Sequence, residues 1–308
     1  MLSVLVPGGS GQLGRDLAAL ASGDVEIVAP GSAELDVTSA GAVVAAVSAL
    51  DERAREAGRR PLVINAAAYT AVDAAETDER RAFAVNADGP RVLAAACSSR
   101  RIPLVHVSTD YVFPGDADRP YEPEDALGPH SAYGRTKVAG EDAVLASGVR
   151  SWIVRTAWVY GKTGSNFVKT MQRLEKERDT LSVVDDQRGS PTWSADLAAG
   201  LLELGRSIVE GQAPARKVLH CTGSGEVTWF GFARAIFEEL GADPERVKPC
   251  TTADFPRPAP RPAYSVLSNE AWREAGLTPL RPWRDALRAY FATAQSASTR
   301  RSEFPSPG

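Results

Sequence analysis

Cysteine, histidine and methionine are scarce in this chain of 308 residues: three, three and two. Cys97, Cys221 and Cys250 stand far apart and are odd in number. That excludes a disulfide framework and leaves no zinc-ligand spacing. Scattered thiols of this kind read as buried cysteines of a reducing compartment, so a cytoplasmic protein is expected. His106, His130 and His220 are equally dispersed, and no metal site is expected from them; His106 falls inside an apolar run and reads as a core residue. No apolar stretch reaches the roughly 18 residues of a membrane helix. The opening MLSVLVPGGSG lacks the basic start of a signal peptide. Charge of one sign is not in excess either. There are 35 basic and 39 acidic residues, a formal net charge of -4, and no long run of either sign. This gives no footprint for nucleic acid or for an anionic membrane. An anionic substrate must be held by local Arg and Lys.

What is present is an ordinary globular composition, 44% apolar and 24% charged, long enough for one large domain or two that share a core. Short apolar runs alternate with helical patterns: LSVLV at 2–6, VEIVAP at 25–30, PLVIN at 61–65, RIPLVHVSTDYVF at 101–113 and SWIVRTAWVYG at 151–161. Continuous Val, Ile and Leu runs suit strands buried on both faces of a parallel sheet. The fold class expected is therefore α/β, a doubly wound parallel sheet of Rossmann-like type over residues 1–161. Residues 162–294 read as a smaller, mixed α/β part with elements returning to the first sheet. The polar stretch 295–308 is expected to be a disordered tail.

Three stretches carry chemistry. GGSGQLG follows the first strand and opens a helix, with Gly8, Gly11 and Gly14 spaced by three. Such a turn lets a backbone approach a pyrophosphate, and the helix start offers free N–H groups. No acidic residue ends the second strand. Asp36 is the nearest, and it either approaches a cofactor's adenosine or caps the helix beginning near Thr38 and Ser39. No Arg follows the strand to hold a 2′-phosphate, so NADH and NADPH both remain open. The fourth strand ends in Ser108, Thr109 and Asp110, at the carboxyl edge where ligands bind in such sheets. These hydroxyls are substrate hydrogen-bonders or turn caps. Finally, PHSAYGRTKVAGEDAVLASG reads as one helix, with Ser131 as N-cap and Gly148 as stop. Tyr133 and Lys137 lie four apart on one face of it. A fixed cation there is expected to lower the phenol below its usual pKa of about 10 and make a proton donor for a carbonyl.

Taken together, the Gly-rich turn, Thr109, Tyr133 and Lys137 resemble the extended short-chain dehydrogenase/reductase family. The blocks GQLG, INAAAYTAVDAAE, STDYVFPG, YGRTK, RTAWVYG, NFVKTM, DQRGSPT and RPAYSVL resemble more narrowly its dTDP-4-dehydrorhamnose reductase group. The resemblance covers about residues 1–292. It implies hydride transfer from NADPH or NADH to C4 of a dTDP-4-keto-6-deoxyhexose, with Thr109, Tyr133 and Lys137 catalytic. It places Gly8, Ser10, Gly11, Gln12 and Leu13 at the pyrophosphate, and Asp36 and Val37 near the adenosine. It sets Ala67, Ala68, Tyr69 and Thr70 along the cofactor, where Lys137 also binds. Thr109, Asp110 and Trp158 would meet the sugar, and the Pro- and Arg-rich loop 255–265 belongs to the substrate half. A homodimer and a bridging Mg2+ occur in the group, but no ligands for the ion map onto this chain. Rhamnose is the default product. A 4-ketoreductase of another deoxysugar would carry much the same blocks, and a non-catalytic regulatory subunit is the third reading. A dehydratase is disfavoured, because position 111 is Tyr where that chemistry uses Glu.

Overall fold

A computed structural model describes the backbone of residues 1–302 and the side chains of residues 1–293. Its centre is a six-stranded, wholly parallel sheet. Strands and helices alternate through the first half: β1 (Leu2–Leu5), α1 (Gln12–Ala18), β2 (Val25–Val28), α2 (Ala40–Glu56), β3 (Arg60–Asn65), α3 (Val72–Ala75), α4 (Glu79–Phe83), α5 (Gly89–Arg100), β4 (Leu104–Thr109), α6 (Ala132–Ala146) and β5 (Ser151–Thr156). One π-helical turn, Ala84–Asp88, joins α4 to α5. The second half follows with β6 (Val159–Tyr160), α7 (Phe167–Glu177), β7 (Leu181–Val184), β8 (Arg188–Gly189), β9 (Thr192–Trp193), α8 (Ser194–Glu210), β10 (Val218–His220), β11 (Val227–Thr228), α9 (Trp229–Glu239), β12 (Val247–Cys250), α10 (Glu270–Glu274) and α11 (Trp283–Ser302). α11 runs into the segment expected to be a disordered tail, whose end, 303–308, lies outside the described residues.

The sheet order is β10-β5-β4-β3-β1-β2. The chain winds outward from β1 to β2, returns past β1 to β3, and winds the other way to β5. β10, from the second half, completes the edge by pairing parallel with β5. The apolar runs bury both faces. One face packs Leu17 of α1, Leu197 and Leu201 of α8 and Trp272 of α10; the other packs Val43 and Val47 of α2, Leu93 of α5 and Val144 of α6. A third cluster, away from the sheet, gathers α7, α9 and α11 around Phe232, Tyr160 and Tyr290. Side-chain caps mark helix starts: Ser39 accepts from Ala42 N–H, Ser131 from Gly134, Asn166 from Lys169 and Thr228 from Gly231. Ser39, not Asp36, thus caps α2. Among the described residues, no helix is long and apolar enough to cross a membrane.

Candidate active site

A cleft of about 650 Å³ opens along the carboxyl ends of the central strands. Such edges, near the point where the strand order reverses, are where open α/β sheets take ligands. The Gly-rich turn forms one end of it. Gly8 has φ +88, and a Cβ there would lie 2.6 Å from the Ala67 nitrogen. Only glycine lets this turn lie against the Ala66–Ala67 backbone. Gly11 precedes α1 with no side-chain cap, leaving the first N–H groups of the helix to a ligand. Gly8, Ser10, Gly11, Gln12, Leu13, Asp36, Val37, Ala67, Ala68 and Thr70 all line this part. Asp36 also accepts from the N–H and hydroxyl of Thr38, at 2.9 and 2.8 Å, which holds its carboxyl below the usual range. Tyr69 is the exception among the expected residues. It is not on the wall; its ring packs with Ala75, Ala82, Ala132 and Tyr133.

The other end holds Thr109, Asp110, Tyr133, Lys137 and Trp158. Thr109 is both strand end and cap. Its Oγ1 accepts from Tyr111 N–H at 3.3 Å, and its hydroxyl donates to Asp110 Oδ1 at 2.9 Å. The turn-cap reading of the S-T-D stretch is thus what these bonds show. The phenol of Tyr133 lies beside Thr109. Lys137 is 1% exposed, and its Nζ donates to the Val107 carbonyl at 2.8 Å. It makes no ion pair among the described residues.

The electrostatics differ from expectation. Tyr133 is pushed up to about 12, because burial penalises the phenolate more than its neighbours favour it. Lys137 is held down to about 8 by its own burial, with Glu141 offsetting part of that. A cation stripped of water on the same helix face does not acidify the phenol here. The phenol instead stays protonated across the neutral range, which suits a donor.

Several residues at this site were not foreseen. Asn65, at the end of β3, donates to His106 Nδ1 at 3.0 Å and accepts from Ala67 N–H at 3.2 Å. The other ring nitrogen of His106 lies 3.5 Å from Lys137 Nζ. Burial and Lys137 keep this histidine neutral. His106 is thus a core residue, as expected, but it also links the carboxyl end of β3 to Lys137. Asn86, in the π-helical turn, clamps both backbone groups of Tyr69 and donates to Thr136 of α6. Trp158 has φ +48 and stacks on Trp229 with centroids 3.4 Å apart. A Cβ at Gly189 would come 2.4 Å from its indole, so that position has to be small. Lone asparagines inside apolar runs were the available signal for Asn65 and Asn86, since buried amides must be bonded. Of the 255–265 loop, Arg261 is taken by Asp73 at 2.9 Å. Among the described residues, no group of three or more His, Cys, Asp or Glu side chains is placed to hold a metal ion.

A probable dTDP-4,6-dihydroxy-2-methyloxan-3-one 4-ketoreductase of Streptomyces antibioticus is 48% identical, over 96% of this chain and 98% of its own. A dTDP-4-dehydrorhamnose reductase of Mycobacterium tuberculosis is also 48% identical, over 98% and 97%. The crystal structure of a dTDP-4-dehydrorhamnose reductase from Bacillus anthracis in complex with NADP has a TM-score of 0.84. It is 35% identical and covers 94% of this chain and 99% of its own. The family model described as RmlD substrate binding domain matches residues 2–296. The chain belongs to that family, as its motif resemblance to the dTDP-4-dehydrorhamnose reductase group implies.

Proposed function

We propose that the protein is an NAD(P)H-dependent reductase of the 4-keto group of a dTDP-4-dehydro-6-deoxyhexose. The observation that carries this is the meeting of Thr109, Tyr133 and Lys137 in one cleft with the Gly-rich turn at its other end. The cleft fits a dinucleotide by its chemistry: an uncapped helix start, a turn that excludes Cβ atoms, and a buried ammonium with donors to spare. Gly8, Ser10, Gly11, Gln12 and Leu13 would hold the pyrophosphate, Asp36 and Val37 the adenosine end, and Ala67, Ala68, Thr70 and Lys137 the nicotinamide half. When bound, the reduced cofactor supplies the hydride.

The chain's own residues then handle the carbonyl oxygen. Tyr133 and Thr109 donate to it, and Tyr133 gives up its proton as charge develops there. Lys137, on the same face of α6, would hold the cofactor's ribose with the donors that Val107 leaves unspent. Trp158 borders the sugar, held by Trp229. This reading makes 1–161 the cofactor part and 162–294 the substrate part.

Rhamnose is the product favoured by the relatives named dTDP-4-dehydrorhamnose reductase, and the Streptomyces antibioticus relative supports a second product class at equal identity. Nothing in the site or the relatives' names supports the regulatory reading. The test is NADPH and NADH oxidation with a panel of dTDP-4-keto-6-deoxyhexoses, with products identified by NMR. Wild type that binds NADPH yet oxidises none on any of them defeats the proposal. Tyr133→Phe is expected to lower kcat by about 10^2–10^4-fold while leaving NADPH binding nearly intact; near-normal turnover in that variant would sink the role of the phenol.

A further inference from the structure

Asp110 is 2% exposed and sits in the cleft wall beside Thr109. Its Oδ1 accepts a hydrogen bond from the Thr109 hydroxyl, while its Oδ2 is buried with no hydrogen bond among the described residues. Ser265, from the 255–265 loop, approaches the carboxyl but is also left without a well-formed bond. Among the described residues, no lysine, arginine or histidine bonds to this carboxyl. The titratable groups that face it are the phenols of Tyr111, on its own turn, and Tyr133, on α6.

A hydroxyl has one proton to give and two lone pairs to accept with. At Thr109 one lone pair is already used by Tyr111 N–H. With Asp110 ionised, the single proton of Thr109 points at the carboxylate. Its second lone pair then draws the proton of the adjacent Tyr133 phenol, and a carbonyl in the cleft meets no donor. With Asp110 protonated, every direction reverses. The carboxylic acid donates to the second lone pair of Thr109. The Thr109 proton turns outward to the carbonyl, and Tyr133, with no acceptor left at Thr109, turns there too.

We infer that Asp110 is a positioning residue that works as a neutral acid, setting the direction in which Thr109 and Tyr133 donate. It gives up no proton in the reaction. The inference rests on the reductase reading above, because it needs a carbonyl oxygen as the acceptor. Burial supports it by raising this carboxyl to about 6, against hydrogen bonds that lower it.

The test is kcat/KM for NADPH-dependent reduction against pH, in wild type, Asp110→Asn and Thr109→Val. Wild type is expected to lose about tenfold per pH unit above about 6. A separate fall near pH 8, where Lys137 deprotonates, should be common to all three. In Asp110→Asn the amide donates to Thr109 at every pH, so the limb near 6 disappears. In Thr109→Val the rate is low, but the same limb is missing, because the carboxyl has nothing left to direct. NADPH titration by fluorescence checks that each variant is folded. Absence of the limb from wild type, or its persistence in either variant, overturns the inference. Should Asp110→Asn fail to bind NADPH, Thr109→Val and wild type decide between these outcomes. Near-normal turnover in Thr109→Val would instead strike the role given to Thr109. Wild type inactive on every 4-keto sugar would strike the reductase reading, and this inference falls with it.

Discussion

Two buried cations meet α6 one turn apart, and they are held in opposite ways. Arg155, on β5, is 3% exposed and grips Glu141 of α6 through Nε and Nη2, at 3.0 and 2.7 Å. Its remaining nitrogen donates to the Pro123 carbonyl, and its guanidinium lies over the Phe113 ring. Lys137, four residues before Glu141, is as deeply buried yet has one backbone carbonyl and a neutral imidazole beside it. The first charge has all its partners inside the protein. The second is left with donors unspent. A buried charge provided with its own counter-ion is a feature of the fold, whereas one without it is poised for an incoming group.

Removing Arg155 should have the largest effect. Arg155→Met leaves Glu141 buried and unpaired, and the expected cost is about 3–5 kcal/mol in urea denaturation. Adding Glu141→Leu should restore most of it; no restoration would mean that packing, not charge, is what Arg155 supplies. Lys137→Met should do the reverse. Stability is expected to change by under about 1 kcal/mol or to rise, since an unpaired desolvated charge is removed. NADPH affinity and kcat should each fall by more than about tenfold, as measured by titration and single-turnover kinetics. An effect on only one of the two would separate the cofactor role from the proton role.

A further effect, read against pH, concerns the histidines beside the two cations. His106 adjoins Lys137, and His220 lies near Arg155. Burial and Arg155 depress His220 to about 3. Its unfolded form binds a proton below about 6.5, so the unfolded chain is favoured as pH falls from there towards 3. The stability lost is about 1.4 kcal/mol for each pH unit in that window. His220→Phe should remove its share of this dependence in thermal melts between pH 7 and 5, leaving the share of His106, and an unchanged slope would assign the acid sensitivity to other groups.

The long elements and the Tyr133–Lys137 pair were legible because periodicity and spacing encode them. Tyr133 and Lys137 share a face through the helical repeat alone, and Gly8 to Gly14 mark a turn that only glycines can make. Short pairings such as β6 with β9 and β8 with β11 carry no period, so the second half was readable only as mixed. The missed contacts are, apart from Asn65 with Ala67, long-range. Asn65, His106 and Lys137 converge from two strands and a helix, and Trp158 meets Trp229 from distant segments. The acidity of Tyr133 failed as an expectation for a related reason. Spacing shows which charge is near, but burial decides which effect wins, and burial is a property of the assembled chain. Tyr69 was placed along the cofactor by the resemblance alone, and its side chain packs against an apolar cluster.

The sheet order carries a consequence in time. β5 waits for β10, and β10 lies far downstream. During synthesis, at about 5–20 residues per second, the edge of SWIVRT stays open for seconds after its neighbours are complete. An exposed apolar edge is a template for pairing with another chain. Arg155 is the one charge in that segment. The residue whose burial demands a counter-ion in the finished protein is, on the ribosome, the gatekeeper that interrupts a sticky strand.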